Sequence, residues 1–204
     1  MDKFTRVDGV ALPLVAPNVD TDQIIPARFL WRPRSDGYGK LLFNDLRFAE
    51  DGTPKPDFIL NRPEYAAAEV LVGDRNFGCG SSREHAVWAL HDYGFRVVIA
   101  SSFGDIFYNN SFKQGLLPVV LAQAEVTALR CAIERGNSAH VTVDLPTQTV
   151  TGPGGFRAHF EIDPFRKRAL LEGLDDIALT LTFADRIADF EAAFDQQLPW
   201  LRYD

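Results

Sequence analysis

Glu69-Val70-Leu71-Val72-Gly73, then Asp74 to Ser82, then Arg83 to Tyr93, then Arg96-Val97-Val98-Ile99-Ala100 is the stretch that decides the fold. The first run is a short apolar strand stopped by a glycine. A loop with Gly78 and Gly80 follows, then a segment that reads as a helix with Val87, Trp88 and Leu90 supplying apolar contacts, then a second apolar run of buried-strand type. Asp105 to Lys113 reads as another short helix, Leu116 to Leu121 as another strand, and Glu125 to Glu134 as a helix ending at Gly136. Strands alternating with helices in this way predict an α/β layer with parallel pairing.

The flanks are richer in β structure. Phe4 to Val15 reads as a strand or two, and Asn18 to Asp22 as a polar turn before Ile24-Ile25-Pro26. From about residue 31 to 57 the chain mixes Arg, Pro, Gly and Asp with isolated aromatics, as long loops do, and Ala49 to Asp57 reads as a solvated excursion. Val141 to Leu145, Thr147 to Thr151 and Phe156 to Ile162 predict a β-meander with turns at Pro146 and at Gly152-Pro153-Gly154-Gly155. A helix from Pro164 to Glu172 has proline in its first turn and Gly173 just past its end. Ala184 to Phe194 closes the chain as an amphipathic helix with Ile187, Phe190 and Phe194 on one face. The expectation is one α/β domain over residues 1–204, with its core at about 4–190.

Composition narrows the function. The chain has 204 residues, 46% of them hydrophobic and 24% charged, in the range of soluble globular domains. A net charge of -7 argues against nucleic acid or an anionic membrane as partner. No apolar run approaches the roughly 20 residues needed to span a bilayer, and no secretion signal is evident. Two isolated cysteines, Cys79 and Cys131, exclude a disulfide framework and fit a reducing cytosol.

Chemistry concentrates at Asn76 to His85. Glycines let backbone approach a ligand closely, and a helix start offers free N–H groups and a positive dipole end. Arg83 adds a planar fork suited to a carboxylate. The same residues have a plain structural reading, because Ser81-Ser82-Arg83-Glu84 fits a capping box with Ser81 as N-cap. His85 taken alone fits a buried, hydrogen-bonded ring as well as a base. Cys79 has no partner base nearby in sequence and no companion cysteines for a metal. Asp20 and Asp22 can supply carboxylates to the same mouth or simply cap a turn. Arg28, Arg32 and Arg34 can line a di-acid pocket or form a solvated run. Ser102 to Ser111 begins another helix after a strand and can reach the same edge.

Taken in order, several of these segments resemble the small subunits of isopropylmalate dehydratases, in the aconitase superfamily. They are Asn18 to Pro26, Asn76 to Ala86, Ser102-Phe103 with Asp105-Ile106-Phe107, Asn110-Ser111-Phe112 leading to Gly115-Leu116-Leu117-Pro118, and Gly173 to Leu181. The resemblance runs from about residue 4 to about residue 190. It implies a swivelling β/β/α domain that forms a heterodimer with a large subunit. That subunit would carry a [4Fe–4S] cluster, and this chain would bind no cofactor. The implied reaction interconverts 2-isopropylmalate and 3-isopropylmalate by dehydration and rehydration in leucine biosynthesis.

Carried over by motif, Ser81 is the base, Ser82 and Arg83 bind a substrate carboxylate, and Asp22, Gly78, Gly80 and His85 support them. Many such subunits have, after the Ile-Ile-Pro turn, an arginine followed by threonine and glycine that reads the substrate's side group. Here the stretch is Arg32-Pro33-Arg34-Ser35-Asp36-Gly37-Tyr38-Gly39, with the arginine displaced to Arg34 and Asp36 at the threonine position. Arg32 and Arg34 are therefore candidate substrate contacts. Two rival readings are the same chemistry on a citramalate- or dimethylmalate-type di-acid, and a non-catalytic anion-binding module.

Overall fold

A computed structural model describes residues 1–136, 139–198 and 200. In chain order the elements are β1 (Arg6–Pro13), α1 (Thr21–Ile24), α2 (Asn44–Arg47), β2 (Ala68–Val72), α3 (Glu84–Tyr93), β3 (Val97–Ala100), α4 (Asp105–Lys113), β4 (Leu117–Val120) and α5 (Gln123–Arg135). They continue with β5 (His140–Asp144), β6 (Thr149–Gly152), β7 (Phe156–His159), α6 (Pro164–Glu172), α7 (Asp176–Leu181) and α8 (Ala184–Gln197). The strands form one sheet of order β4-β3-β2-β1-β5-β6-β7. β1 to β4 pair in parallel, β5 runs antiparallel to β1, and β5 to β7 form the expected meander.

Alternation along the strands divides the core between the two faces. In β2, Val70 and Val72 pack on one side and Leu71 on the other; in β3, Val97 and Ile99 oppose Val98. The Leu71 and Val98 face is covered by α3, through Ala86, Val87, Ala89 and Leu90. The opposite face is covered by α5 and α6, through Val126, Leu129, Ile133 and Leu170. Each fully buried aliphatic side chain stabilises the fold by about 1.5–3 kcal/mol before entropy is counted.

The structure corrects two expectations. The stretch from residue 31 to 57 is not loop throughout: Tyr38, Leu41, Leu42 and Phe43 are buried in the core beside α3. Gly39 permits that approach, since a Cβ there would lie 2.6 Å from the Asp92 carbonyl. Ala49 to Asp57 is exposed along its whole length, as expected of an excursion. Second, Ser81 does not cap α3. The helix begins at Glu84 with Arg83 at the N-cap and no side-chain cap bond, so the Ser81–Glu84 capping box does not form. Local pattern loses there to long-range bonding, because the Ser81 backbone is held by the N-terminal segment instead.

Candidate functional site

Three loops leave the carboxyl ends of β1, β2 and β3 on the same edge of the sheet, where α/β folds assemble their sites. Beyond the strands they continue to pair, through parallel bridges between Asp20 and Cys79 and between Phe77 and Phe103. The Gly78 amide donates to Val19 O at 2.7 Å, and the Thr21 amide to Cys79 O at 2.9 Å. On the other side the Phe77 amide donates to Ser102 O at 3.0 Å, and the Asn76 amide to the Ser102 hydroxyl at 2.8 Å. The Asn76 to Arg83 loop is thus clamped from both flanks.

Gly78 sits at φ 71, and a Cβ there would lie 2.2 Å from the Phe107 ring. Both backbone conformation and space require glycine. Gly80 also has positive φ, 91, and lies beside Asp20 and Thr21. The buried Thr21 hydroxyl donates to Ser81 O at 2.9 Å. This holds the Ser81 backbone while Ser81 and Ser82 remain exposed. Just beyond, the first turn of α3 presents the N–H groups that a helix start leaves unpaired.

Arg83 is bonded through both terminal nitrogens. Nη2 donates to Asp22 Oδ2 at 2.6 Å, Nη1 contacts Asp22 Oδ1, and Nη1 also donates to Ile25 O at 3.4 Å. The Arg83 side chain is 12% exposed and that of Asp22 58%. Hydrogen bonding to Arg83 holds the Asp22 carboxyl below its ordinary value, and the guanidinium is raised in turn. Asp20 is occupied differently, forming the true capping box of this region with Gln23 at the start of α1.

His85 stands behind the loop, edge-on to Tyr38 at 5.4 Å and against Trp88 at 4.6 Å between ring centroids. Burial pushes its pKa below the ordinary value despite nearby Glu84 and a bond to the Leu30 backbone. The Cys79 thiol is pushed up by burial and by Asp20, so it stays protonated and is a poor nucleophile.

Asp22, Gly78, Gly80, Ser81, Ser82, Arg83 and His85 therefore gather in one place, and Arg32 and Arg34 stand apart in their bonding. Arg34 donates to Gln114 Oε1 at 2.8 Å and to Asp92 Oδ1 at 3.4 Å, and lies over the Trp88 ring. Arg32 lies over Phe29 and Trp31, and its buried Nε has no hydrogen-bond partner among the described residues. Tyr38 donates its hydroxyl to Arg32 O at 2.6 Å, which fixes the bend between the two arginines.

Sequence reasoning missed Thr21 and Gln114. Gln114 accepts from Arg34 and donates to Glu84 Oε1 at 2.6 Å, joining the loop to the start of α3. Nothing in the pattern around Gln114 signals that role. Thr21, an apparently ordinary turn residue between two aspartates, had a faint signal in its place within the Asn18 to Pro26 segment.

Among the described residues no group of three or more His, Cys, Asp or Glu side chains gathers where a metal could sit. Cys79 and Cys131 lie on separate elements, the β2–α3 loop and α5. The donors of this chain do not fit an iron–sulfur cluster, which needs several convergent thiolates. Nor is any described helix long and apolar enough to cross a membrane.

Comparison with known proteins agrees with this geometry. Residues 1–124 match the aconitase C-terminal domain, residues 128–164 match LeuD_N, and residues 176–202 match the C-terminal domain of the 3-isopropylmalate dehydratase small subunit. The 3-isopropylmalate dehydratase small subunit of Jannaschia sp. is 56% identical, covering 98% of this chain and 100% of that one. Its counterpart from Paramagnetospirillum magneticum is 55% identical with the same coverage. The crystal structure of 3-isopropylmalate dehydratase (LeuD) from Methanocaldococcus jannaschii superposes with a TM-score of 0.61 at 26% identity, covering 91% of this chain and 99% of that one. With an aconitase-type sheet, a clamped serine–arginine loop at its edge and full-length relatives of one kind, this chain belongs to the 3-isopropylmalate dehydratase small-subunit family.

Proposed function

We propose that this chain supplies the proton-transfer and carboxylate-gripping half of a hydro-lyase site that interconverts 2-isopropylmalate and 3-isopropylmalate. The observation that carries the reading is the pairing of an exposed Ser81 with an Arg83 already oriented by Asp22.

In this reading Arg83 receives one substrate carboxylate on its Nε edge, which makes no hydrogen bond within the described residues. Asp22 keeps the terminal nitrogens in place, so the guanidinium plane is set before substrate arrives. Ser82 adds a hydroxyl donor to the same carboxylate. Ser81 Oγ, as alkoxide, takes the proton from the carbon beside a carboxylate while the hydroxyl leaves the neighbouring carbon. Returning the proton from Ser81 Oγ and a hydroxide, with the two carbons exchanged, adds back one water and gives the isomer. A serine hydroxyl is a weak base, so the reading requires Arg83 and the free N–H groups at the start of α3 to stabilise the alkoxide. His85 packs the loop from behind. Arg32 and Arg34 belong to the loop that would read the substrate's side group, with Arg32 the freer of the two.

The hydroxyl-accepting chemistry is assigned to a separate large subunit, the partner implied by the name that the relatives carry. That subunit would bring the iron–sulfur cluster, for which the described residues here gather no ligand group.

The test is assembly with a large subunit, followed by anaerobic assay on a panel of 2-hydroxy di-acids. Turnover is expected only from the assembled pair, with 3-isopropylmalate preferred. Turnover by this chain alone would overturn the two-subunit reading, and a higher kcat/KM on citramalate would overturn the substrate.

A further inference from the structure

The C-terminal helices are built unlike the rest of the molecule. Neither α7 nor α8 has a buried residue. Phe183, Ile187, Phe190 and Phe194 nevertheless follow helical spacing, and Phe190 stacks on Phe194 at 5.9 Å with two thirds of its surface exposed. On α7, Ile177 and Leu181 are 75% and 66% exposed. An apolar stripe of this extent on a soluble domain is a binding surface.

Charge narrows the occupant. α8 carries Asp185, Asp189, Glu191 and Asp195 against the single Arg186. Pairing with a second copy would bring two such acidic helices together, which repulsion opposes. An apolar groove rimmed by lysine and arginine is the complementary surface.

Position narrows it further. The root of the tail is pinned to the body by Lys113–Asp176 at 3.1 Å and by the N-terminal ammonium to Asp175 at 3.4 Å. Ile177 and Asp176 line a cleft with Glu84, the first residue of α3, and with Gln114. The tail thus starts beside the first turn of α3, the helix that follows the Ser81 loop. It also lies beyond the residues that match the aconitase domain and within those that match the C-terminal domain of the small subunits. Where the domain is the C-terminal part of a longer chain, covalent linkage supplies its effective concentration; a separate subunit needs a non-covalent equivalent.

Resting on the two-subunit reading above, we infer that α7 and α8 form a docking arm whose acidic, apolar face seats in a basic-rimmed groove of the large subunit. Its job is to hold the halves together, and the chemistry stays with the Ser81 loop.

The test compares the full-length chain with its Ile187→Ser/Phe190→Ser/Phe194→Ser variant, titrated against the large subunit by sedimentation and by activity. The variant should bind about 30-fold or more weakly, as loss of aromatic anchors does, and reach a kcat within about twofold at saturating large subunit. Its melting temperature should hold, since no core side chain changes. A second variant, Asp189→Arg/Glu191→Arg, should weaken binding and flatten its salt dependence. Wild-type assembly matched by both variants would overturn the docking arm alone. Loss of self-association with unchanged large-subunit binding would also overturn it, assigning the face to a second copy. Failure of the wild-type chain to assemble or activate would instead remove the two-subunit reading beneath it.

Discussion

Asp22 spans both terminal nitrogens of Arg83, joining α1 to the residue that precedes α3. With Asp22 more than half exposed, such a pair contributes only about 0–1 kcal/mol to stability. Its consequence is positional. Asp22→Asn should leave the melting temperature within a few degrees and lower kcat/KM of the assembled enzyme by about 10- to 100-fold, the scale of a misplaced binding group. Steady-state kinetics beside a thermal melt checks this; intact kinetics would make the pair ornamental.

Gly78→Ala should destabilise the chain itself. A left-handed non-glycine residue costs about 1–2 kcal/mol, and overlap with Phe107 adds about 1–3 kcal/mol. A loss of at least about 2 kcal/mol, or roughly 4–8 °C in Tm, should appear in calorimetry. A melt matching wild type would show that the loop can move away from Phe107.

Gln114→Leu should cut the link from Arg34 to Glu84. Because Gln114 touches no reacting atom, KM should rise about three- to tenfold with kcat within about twofold, as expected when ground-state binding geometry loosens. A fall in kcat at constant KM would place Gln114 nearer the chemistry.

Acid should weaken the fold through its half-buried imidazoles. Burial lowers the pKa of His85, and burial with Arg96 and Arg34 lowers that of His91, both from 6.5. A histidine whose folded value is depressed binds fewer protons folded than unfolded just below the unfolded value. Stability is therefore complete above about pH 6.5 and is lost as pH falls toward the folded values. Melts from pH 8 to 5 should show that decline, and His91→Gln should flatten it. A Tm that is level across the range would contradict the assignment.

Much of the fold could be read from periodicity. The strands around Val70, Val98 and Val119 are short apolar runs bounded by glycine or polar residues, and α3 and α5 show a helical stripe. Tyr38 to Phe43 escaped because their burial comes from long-range packing on α3 within a stretch whose composition is that of a loop. Ser81 to Glu84 misled for the opposite reason: the local pattern satisfies a capping box, but Thr21 and Cys79 pair the backbone elsewhere. The cluster of Asp22, Ser81 and Arg83 was legible as motif. The distinct positions of Arg32 and Arg34 depend on Tyr38, Trp88 and Gln114, which no spacing rule connects.

The central claim is that Ser81 Oγ moves the proton. The direct measurement is single-turnover and steady-state kinetics of Ser81→Ala in the assembled two-subunit enzyme, with sedimentation confirming assembly. The proposed role requires kcat to fall by about 10³-fold or more while substrate affinity and assembly persist. Turnover within about tenfold of wild type would contradict it and move the base to another residue.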